Sequence, residues 1–183
     1  MQPDPQSVTS GLLQTATTYL KVFSALDPSV IAHIQSDTYT HDFGPASTNL
    51  PSPLSRKEFN AHVSQIREVM HSFPVIPKKM WANPSLHQVV VWATAIPEFH
   101  EHVKDGDDDK KCDEWFYQGE YIYVLTMDPT GEKVENVLEF VDSKGTEHIK
   151  SLMARAWKNK GNVDAAGHGK AERMLFMQSM QKN

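Results

Sequence analysis

The sequence is poor in cysteine, in long apolar runs and in positive charge, and each shortage excludes a class of protein. Its 183 residues include one cysteine, Cys112, which excludes an internal disulfide and a zinc site built on cysteines. Lys and Arg number 18 against 23 Asp and Glu, so the net charge of -5 argues against nucleic-acid binding and docking on an anionic membrane. No stretch approaches the roughly 18 to 20 apolar residues that cross a bilayer, and the N-terminus lacks a secretory pattern. We therefore expect a cytoplasmic protein with neither nucleic acid nor membrane as a partner.

Common cofactor and nucleophile motifs are also missing from the sequence. There is no glycine-rich phosphate loop after a strand, no Walker motif and no GxSxG turn. His100 and His102 flank Glu101, but no further ligand follows at the spacing of a metal motif. Cys112 borders the acidic segment DGDDDKK, where neighbouring carboxylates disfavour a reactive thiolate. We predict no metal site, no nucleotide cofactor and no cysteine nucleophile.

What the sequence does contain is a helical first part with clear start signals. Apolar residues make up 39% of the chain, enough to close the core of one domain. Apolar positions recur at helical spacing over Leu12–Phe23, and Asp27-Pro28 is typical of a helix start. Ser55 and Glu58 fit a capping box, which opens an amphipathic helix predicted to run to Phe73. Residues 38–43 (TYTHDF) predict a short strand before it.

The second half of the chain reads as consecutive strands and a last helix. Strands are predicted over 78–83, 87–99, 115–127 and 133–142, and the turn DPTGEK joins the last two into a hairpin. A helix is predicted over 146–160. Because helices and strands are segregated, the fold class is α+β with an antiparallel sheet. We assign residues 1–160 to one domain and 161–183 to a C-terminal extension with an apolar patch at 174–177.

Glu139 is the candidate for proton transfer in the strand KVENVLEFVDS. Alternation puts it on one face with Val137 and Val141, while Leu138 and Phe140 occupy the other. A carboxylate among apolar residues is costly to bury without partners, and such acids suit general acid–base work near neutral pH. A glutamate exposed on a partly solvated face remains the alternative.

Three tyrosines and one histidine are further candidates. Tyr117, Tyr121 and Tyr123 alternate along one face of the preceding strand, either as phenols that line a surface or as ordinary buried tyrosines. His41 is suited to proton transfer, although a lone histidine is also commonly structural. Asp42 should face the opposite way, so it cannot form a pair with His41.

Several segments together resemble a known family. The stretches THDFGPAS, SRKEFNAHVSQI, VVVWATA, GEYIYVLTMDPTGEKVENVLEFVDS and LMARAWKN fall within residues 12–160. In this order they resemble the NTF2-like superfamily, in its SnoaL-like branch, and are most similar to small fungal cyclases, isomerases and epoxide hydrolases of secondary metabolism. The resemblance implies an α+β cone in which a curved antiparallel sheet wraps around long N-terminal helices and encloses a pocket. It implies no metal or organic cofactor, and a homodimer formed through the exposed face of the sheet.

The resemblance also implies a set of site residues. Glu139, Tyr117 and Tyr121 match strand positions that carry pocket residues in such proteins, and His41 lies on a strand that borders the pocket. Relatives often carry an arginine shortly before this histidine, where this chain has Gln35, so a mechanism that depends on arginine is in doubt. We expect the substrate-binding walls to be aromatic, drawn from Phe43, Trp81, Trp92, Trp115 and Tyr123.

These features lead to one main hypothesis and two alternatives. The first is a cofactor-independent enzyme that cyclises, isomerises or opens an epoxide in a hydrophobic, oxygenated polyketide, terpenoid or alkaloid. The second is a non-catalytic ligand carrier or dimeric scaffold, and an interior filled by side chains would favour the scaffold. The third is a dehydratase similar to scytalone dehydratases, which would need paired pocket histidines.

Overall fold

The computed structural model describes residues 5–106 and 111–165. The helices are α1 (Pro5–Lys21), α2 (Pro28–Ile34), α3 (Arg56–Arg67), α4 (Lys111–Glu114) and α5 (Ser143–Ala165). The strands are β1 (Gln35–Gly44), β2 (Leu54–Ser55), β3 (Met70–Ser72), β4 (Val75–Asn83), β5 (Gln88–Ala95), β6 (Glu98–Phe99), β7 (Gly119–Met127) and β8 (Val134–Val141). The predicted apolar patch at 174–177 and the side chain of Cys112 fall outside the described residues.

Within the described part of the chain, one six-stranded sheet has the order β2-β1-β8-β7-β5-β4, and β3 pairs with β6 beside it. Strands β4, β5, β7 and β8 form an antiparallel meander, but β1 runs parallel to β8. The α+β class is confirmed, whereas the predicted antiparallel sheet is corrected to a mixed one. Hydrophobic alternation shows which face a residue takes but carries no information about strand direction. For that reason the parallel pairing was not visible in the sequence.

The predicted start signals are confirmed in α2 and α3. The Asp27 carboxylate accepts a hydrogen bond from the Ser29 backbone N–H at 2.9 Å. The Ser55–Glu58 capping box is complete, with the Ser55 N–H donating to Glu58 at 2.8 Å. These bonds satisfy backbone N–H groups that have no partner within the helix.

Several predicted boundaries differ from the structure. The helix that begins after Ser55 ends at Arg67, and β3 follows at once. Met70 is buried, but it belongs to β3. Its apolar side chain fitted the helical spacing, and the predicted helix was therefore too long. The predicted strand over 87–99 divides into β5 and β6 around Pro97, and the one over 115–127 begins at Gly119. Helix α1 starts earlier than expected, and α5 continues past its predicted end at Lys160 to Ala165.

The inner face of the sheet packs against α1 and α3 and forms the core. Alternation along β7 and β8 is confirmed, since Tyr121, Tyr123 and Glu139 are buried while Ile122 and Leu138 are exposed. The α1 residues Leu12, Ala16, Tyr19 and Leu20 are buried in the same core. In residues 5–106 and 111–165, the structure contains no helix that is both long and apolar enough for a membrane span.

Candidate active site

A buried histidine–carboxylate pair lies at the centre of the inner face. His41 on β1 and Glu139 on β8 come together because these strands are parallel neighbours, with Phe43 opposite Glu139. The His41 Nε2 lies 3.1 Å from Glu139 Oε2. The His41 side chain is 0% exposed and that of Glu139 is 11% exposed, so Glu139 is the member that reaches the surface. Phe59 of α3 stacks on the imidazole with ring centroids 4.2 Å apart, which holds its plane.

Three phenols lie beside this pair. Tyr123 is directly opposite Glu139 in the β7–β8 ladder. The hydroxyl oxygens of Tyr117 and Tyr121 are 3.1 Å apart. Burial raises the pKa of all three phenols, and the charge of Glu139 raises them further. The phenols therefore stay protonated and can donate hydrogen bonds to an oxygen that gains negative charge.

Two glycines make room for the Tyr117 hydroxyl. A Cβ atom on Gly119 would stand 2.1 Å from the Tyr117 hydroxyl oxygen, and one on Gly145 would stand 3.2 Å from it. The first separation is far below contact distance, so a side chain at Gly119 would displace the ring. Gly119 thus positions Tyr117 against Tyr121, and nothing in the sequence pattern had singled it out.

Comparisons with known proteins identify relatives both by sequence and by structure. No protein-family model matches the chain. Austinoid biosynthesis clusters protein H of Penicillium brasilianum is 26% identical over 132 residues, which cover 72% of this chain and 83% of that protein. AusH from Aspergillus nidulans has a TM-score of 0.63 and 21% identity, covering 78% of this chain and 88% of its own. BvnE pinacolase from Penicillium brevicompactum has a TM-score of 0.69 and 18% identity, covering 84% of this chain and 97% of that one.

A third solved structure decides the fold. An NTF2-like protein of unknown function from Burkholderia pseudomallei has a TM-score of 0.55 and 10% identity, covering 73% of this chain and 92% of that one. The chain has the NTF2-like fold. The resemblance stated from the sequence is confirmed for this fold and for similarity to proteins of fungal secondary metabolism. At these identities, the solved structures support the fold alone.

Three residues near His41 in this NTF2-like cone were not among the candidates from the sequence. The Tyr39 hydroxyl lies 2.8 Å from His41 Nδ1, and the Tyr19 hydroxyl lies 2.7 Å from that of Tyr39. His62 of α3 also neighbours the pair, and burial, with a smaller effect of His41, lowers its pKa to about 4. Tyr39 alternates with His41 along β1, so a signal for it was present in the sequence. Tyr19 looked like ordinary core on α1.

Of the aromatic residues expected as walls, two lie at the Glu139 cluster and three lie elsewhere. Phe43 and Tyr123 lie at the cluster, with the Phe43 and His41 ring centroids 4.6 Å apart. Trp81 and Trp92 were wrongly expected as interior walls, because both point outward and are 45% and 37% exposed. Trp115 is buried, but it packs on Phe99 and donates to the Asp105 carbonyl at 3.0 Å. Its contacts lie outside the Glu139 cluster.

One surface depression of the described residues lies away from Glu139. An open groove of about 590 Å³ runs between β1 and the start of α3, and its lining includes Asp37, Thr40, Arg56 and Lys57. At the Glu139 cluster itself the polar side chains contact one another. Among residues 5–106 and 111–165, no three His, Cys, Asp or Glu side chains are grouped to hold a metal ion.

Proposed function

We propose that this protein is a cofactor-independent enzyme of secondary-metabolite biosynthesis that uses general acid–base catalysis on a hydrophobic, oxygenated substrate. The observation that carries the proposal is the buried His41–Glu139 pair, set beside the hydrogen-bonded hydroxyls of Tyr117 and Tyr121. Ionisable groups clustered in an apolar interior are a recurring feature of catalytic sites. Similarity to a protein of an austinoid biosynthesis cluster and to a pinacolase supports a biosynthetic role.

The geometry suggests a role for each residue. Glu139 takes or delivers the proton, since its carboxylate is the partly exposed member of the pair. His41 holds that carboxylate and serves as a second proton carrier. Tyr117 and Tyr121 donate hydrogen bonds to a carbonyl, an epoxide oxygen or a developing oxyanion. Phe43 and Tyr123 form the nearby wall for the apolar part of the substrate.

Cyclisation, isomerisation and epoxide opening all fit this arrangement. Each reaction moves a proton at one position and stabilises charge on an oxygen at another. His62 supplies a second histidine near His41, which is the feature that a dehydratase similar to scytalone dehydratases would need. Because its pKa is lowered to about 4, His62 is neutral near pH 7 and would serve as a base or hydrogen-bond partner rather than as an acid.

A non-catalytic carrier or scaffold is the second candidate, and the close packing of the cluster favours the scaffold. His41, Tyr39 and Tyr19 have at most 2% of their surface exposed. A substrate must therefore reach the cluster at Glu139, or side chains must move to admit it. An interior that stays closed would make the cluster a polar core of a scaffold.

We also propose that a second copy of the chain covers the outer face of the sheet. This face carries large exposed apolar side chains on four neighbouring strands, namely Ile76, Trp81, Trp92, Ile122, Leu138 and Phe140. A contiguous apolar surface of this kind is typical of an interface. In a two-fold arrangement the same patch meets itself, so apolar faces apolar without a complementary partner.

A panel of defined probes tests the enzymatic proposal. The full-length protein is incubated in D2O with a polycyclic epoxide, a polycyclic vicinal diol and an enolisable polycyclic ketone. Mass spectrometry then follows ring opening, rearrangement and deuterium uptake, and calorimetry measures binding. We expect turnover or exchange of at least one probe that falls at least about 100-fold in Glu139→Gln. Binding without chemistry would instead favour the carrier, and neither binding nor chemistry the scaffold.

A further inference from the structure

A buried line of hydrogen bonds extends from the candidate catalytic pair into the core. From α1, the Tyr19 hydroxyl lies 2.7 Å from the Tyr39 hydroxyl on β1. The Tyr39 hydroxyl lies 2.8 Å from His41 Nδ1, and His41 Nε2 lies 3.1 Å from Glu139 Oε2. Tyr19 and His41 are 0% exposed and Tyr39 is 2% exposed. The far end of this line is therefore enclosed by protein.

The number of protons along the line limits which of its atoms donate hydrogen bonds and which accept them. Burial raises the pKa of Tyr19 and Tyr39, so each hydroxyl keeps one proton to donate. A neutral imidazole donates from one nitrogen and accepts at the other. The protons on the two phenols therefore help decide which nitrogen of His41 carries its own.

An ionised Glu139 is compatible with one neutral form of His41. If Nε2 carries the proton, it donates to Glu139 Oε2, while Nδ1 accepts from Tyr39 and Tyr39 accepts from Tyr19. If Nδ1 carries the proton, the Nε2 lone pair faces the carboxylate and the two repel each other. The second form thus requires that Glu139 first be protonated.

We propose that Tyr39, supported by Tyr19, is a positioning residue that holds His41 with its proton on Nε2, aimed at Glu139. The arrangement keeps Glu139 Oε2 engaged and fixes the direction in which the pair can pass a proton. Phe59 adds to this role because its ring stacks on the imidazole at 4.2 Å and opposes rotation. The catalytic consequence rests on the proposed function, whereas the state of His41 does not.

Nitrogen-15 NMR of histidine-labelled, full-length protein without substrate tests the assignment directly. In the wild type at pH 7 we expect His41 Nδ1 to resonate as an unprotonated nitrogen that accepts a hydrogen bond, and Nε2 as a protonated one. In Tyr39→Phe the Nδ1 signal should shift toward the position of an unbonded acceptor. Tyr121→Phe is the matched control, because it removes a buried hydroxyl that bonds Tyr117 instead of His41. Its His41 spectrum should match the wild type.

A protonated Nδ1 in the wild type, in either the neutral or the doubly protonated ring, overturns the proposal. So does an unchanged spectrum in Tyr39→Phe. If Tyr39→Phe does not fold, Tyr19→Phe gives a second variant in which the Nδ1 signal should shift less, because Tyr39 still donates. The wild-type spectrum alone also remains decisive.

Kinetics separate this inference from the proposed function. With any probe that shows turnover dependent on Glu139, Tyr39→Phe should lower kcat by about tenfold, with KM nearly unchanged, as for one lost hydrogen bond. An unchanged kcat alongside the expected spectrum would overturn the positioning role and leave the enzyme intact. If no probe reacts, the proposed function fails while the spectrum still decides the state of His41.

Discussion

The inner and outer faces of the sheet use the same residue types for different purposes. On the inner face, Glu139 is paired with His41 away from water. On the outer face, Glu120 pairs with Lys78 and accepts a hydrogen bond from the exposed Trp92 indole at 3.2 Å. Those two hydrogen bonds hold the pKa of Glu120 below its usual range. The two carboxylates differ chiefly in which partners and how much water surround them, and this is what makes Glu139 the candidate for chemistry.

The largest expected effect comes from removing each carboxylate in turn. Glu139→Gln keeps the shape of the side chain and removes the acid, so kcat/KM for a reacting probe should fall by about 100- to 10,000-fold. Glu120→Gln is the matched control on the outer face and should stay within about twofold, since an exposed ion pair contributes little. Steady-state kinetics measure both. Equal losses in the two variants would contradict the distinction between the faces.

The outer face should matter for association rather than for chemistry. Placing charge at two of its aromatic positions, Trp81→Glu with Phe140→Glu, should raise the dimer dissociation constant by at least about 30-fold, as expected for loss of central apolar contacts. Analytical ultracentrifugation provides the measurement. Val30→Glu, an exposed apolar position on α2, is the control and should associate as the wild type does. A wild-type protein that is monomeric at all concentrations would refute the interface.

Alanine substitutions at two glycines should have smaller and opposite effects on stability. Gly119→Ala places a methyl group against the Tyr117 hydroxyl on the inner face and should destabilise the fold by about 1–3 kcal/mol. Gly11→Ala lies on the exposed side of α1 with nothing within 4 Å and should stabilise it by up to about 1 kcal/mol. Urea unfolding measures both changes. The prediction fails if Gly119→Ala unfolds at the wild-type urea concentration.

A further effect is a dependence of stability on pH through His62. Its folded-state pKa is lowered from 6.5 to about 4, so between these values the unfolded chain binds more protons than the native one. The contribution of His62 is therefore fully present above about pH 6.5 and is lost as the pH falls toward about 4. The slope from one such group is at most about 1.4 kcal/mol per pH unit.

Urea titrations at several pH values check this dependence. His62→Gln should flatten the slope between the two pH values, because the imidazole that takes up the proton is gone. His33→Gln, which removes an exposed histidine, serves as the control and should keep the wild-type slope. A His62→Gln profile parallel to that of the wild type would show that other groups cause the loss of stability in acid.

Much of the fold and part of the site could be predicted from local patterns. The capping box at Ser55 and the proline start after Asp27 were read correctly because they depend on residues only a few positions apart. Alternation placed Tyr121, Tyr123 and Glu139 on one face for the same reason. The prediction that Trp81 and Trp92 line the interior was wrong, because a large aromatic residue is compatible with a core wall and with an interface.

The sequence by itself determined the helix starts, the hairpin of β7 and β8, and the inward face that carries Glu139, since all of these follow from short-range periodicity. Only the tertiary structure decided that β1 lies parallel to β8, which brings His41 within 3.1 Å of a residue 98 positions away. It also decided that Tyr19 of α1 reaches Tyr39. Contacts of this kind depend on which strands and helices become neighbours, and that choice is made by burial of the whole chain rather than by any single segment.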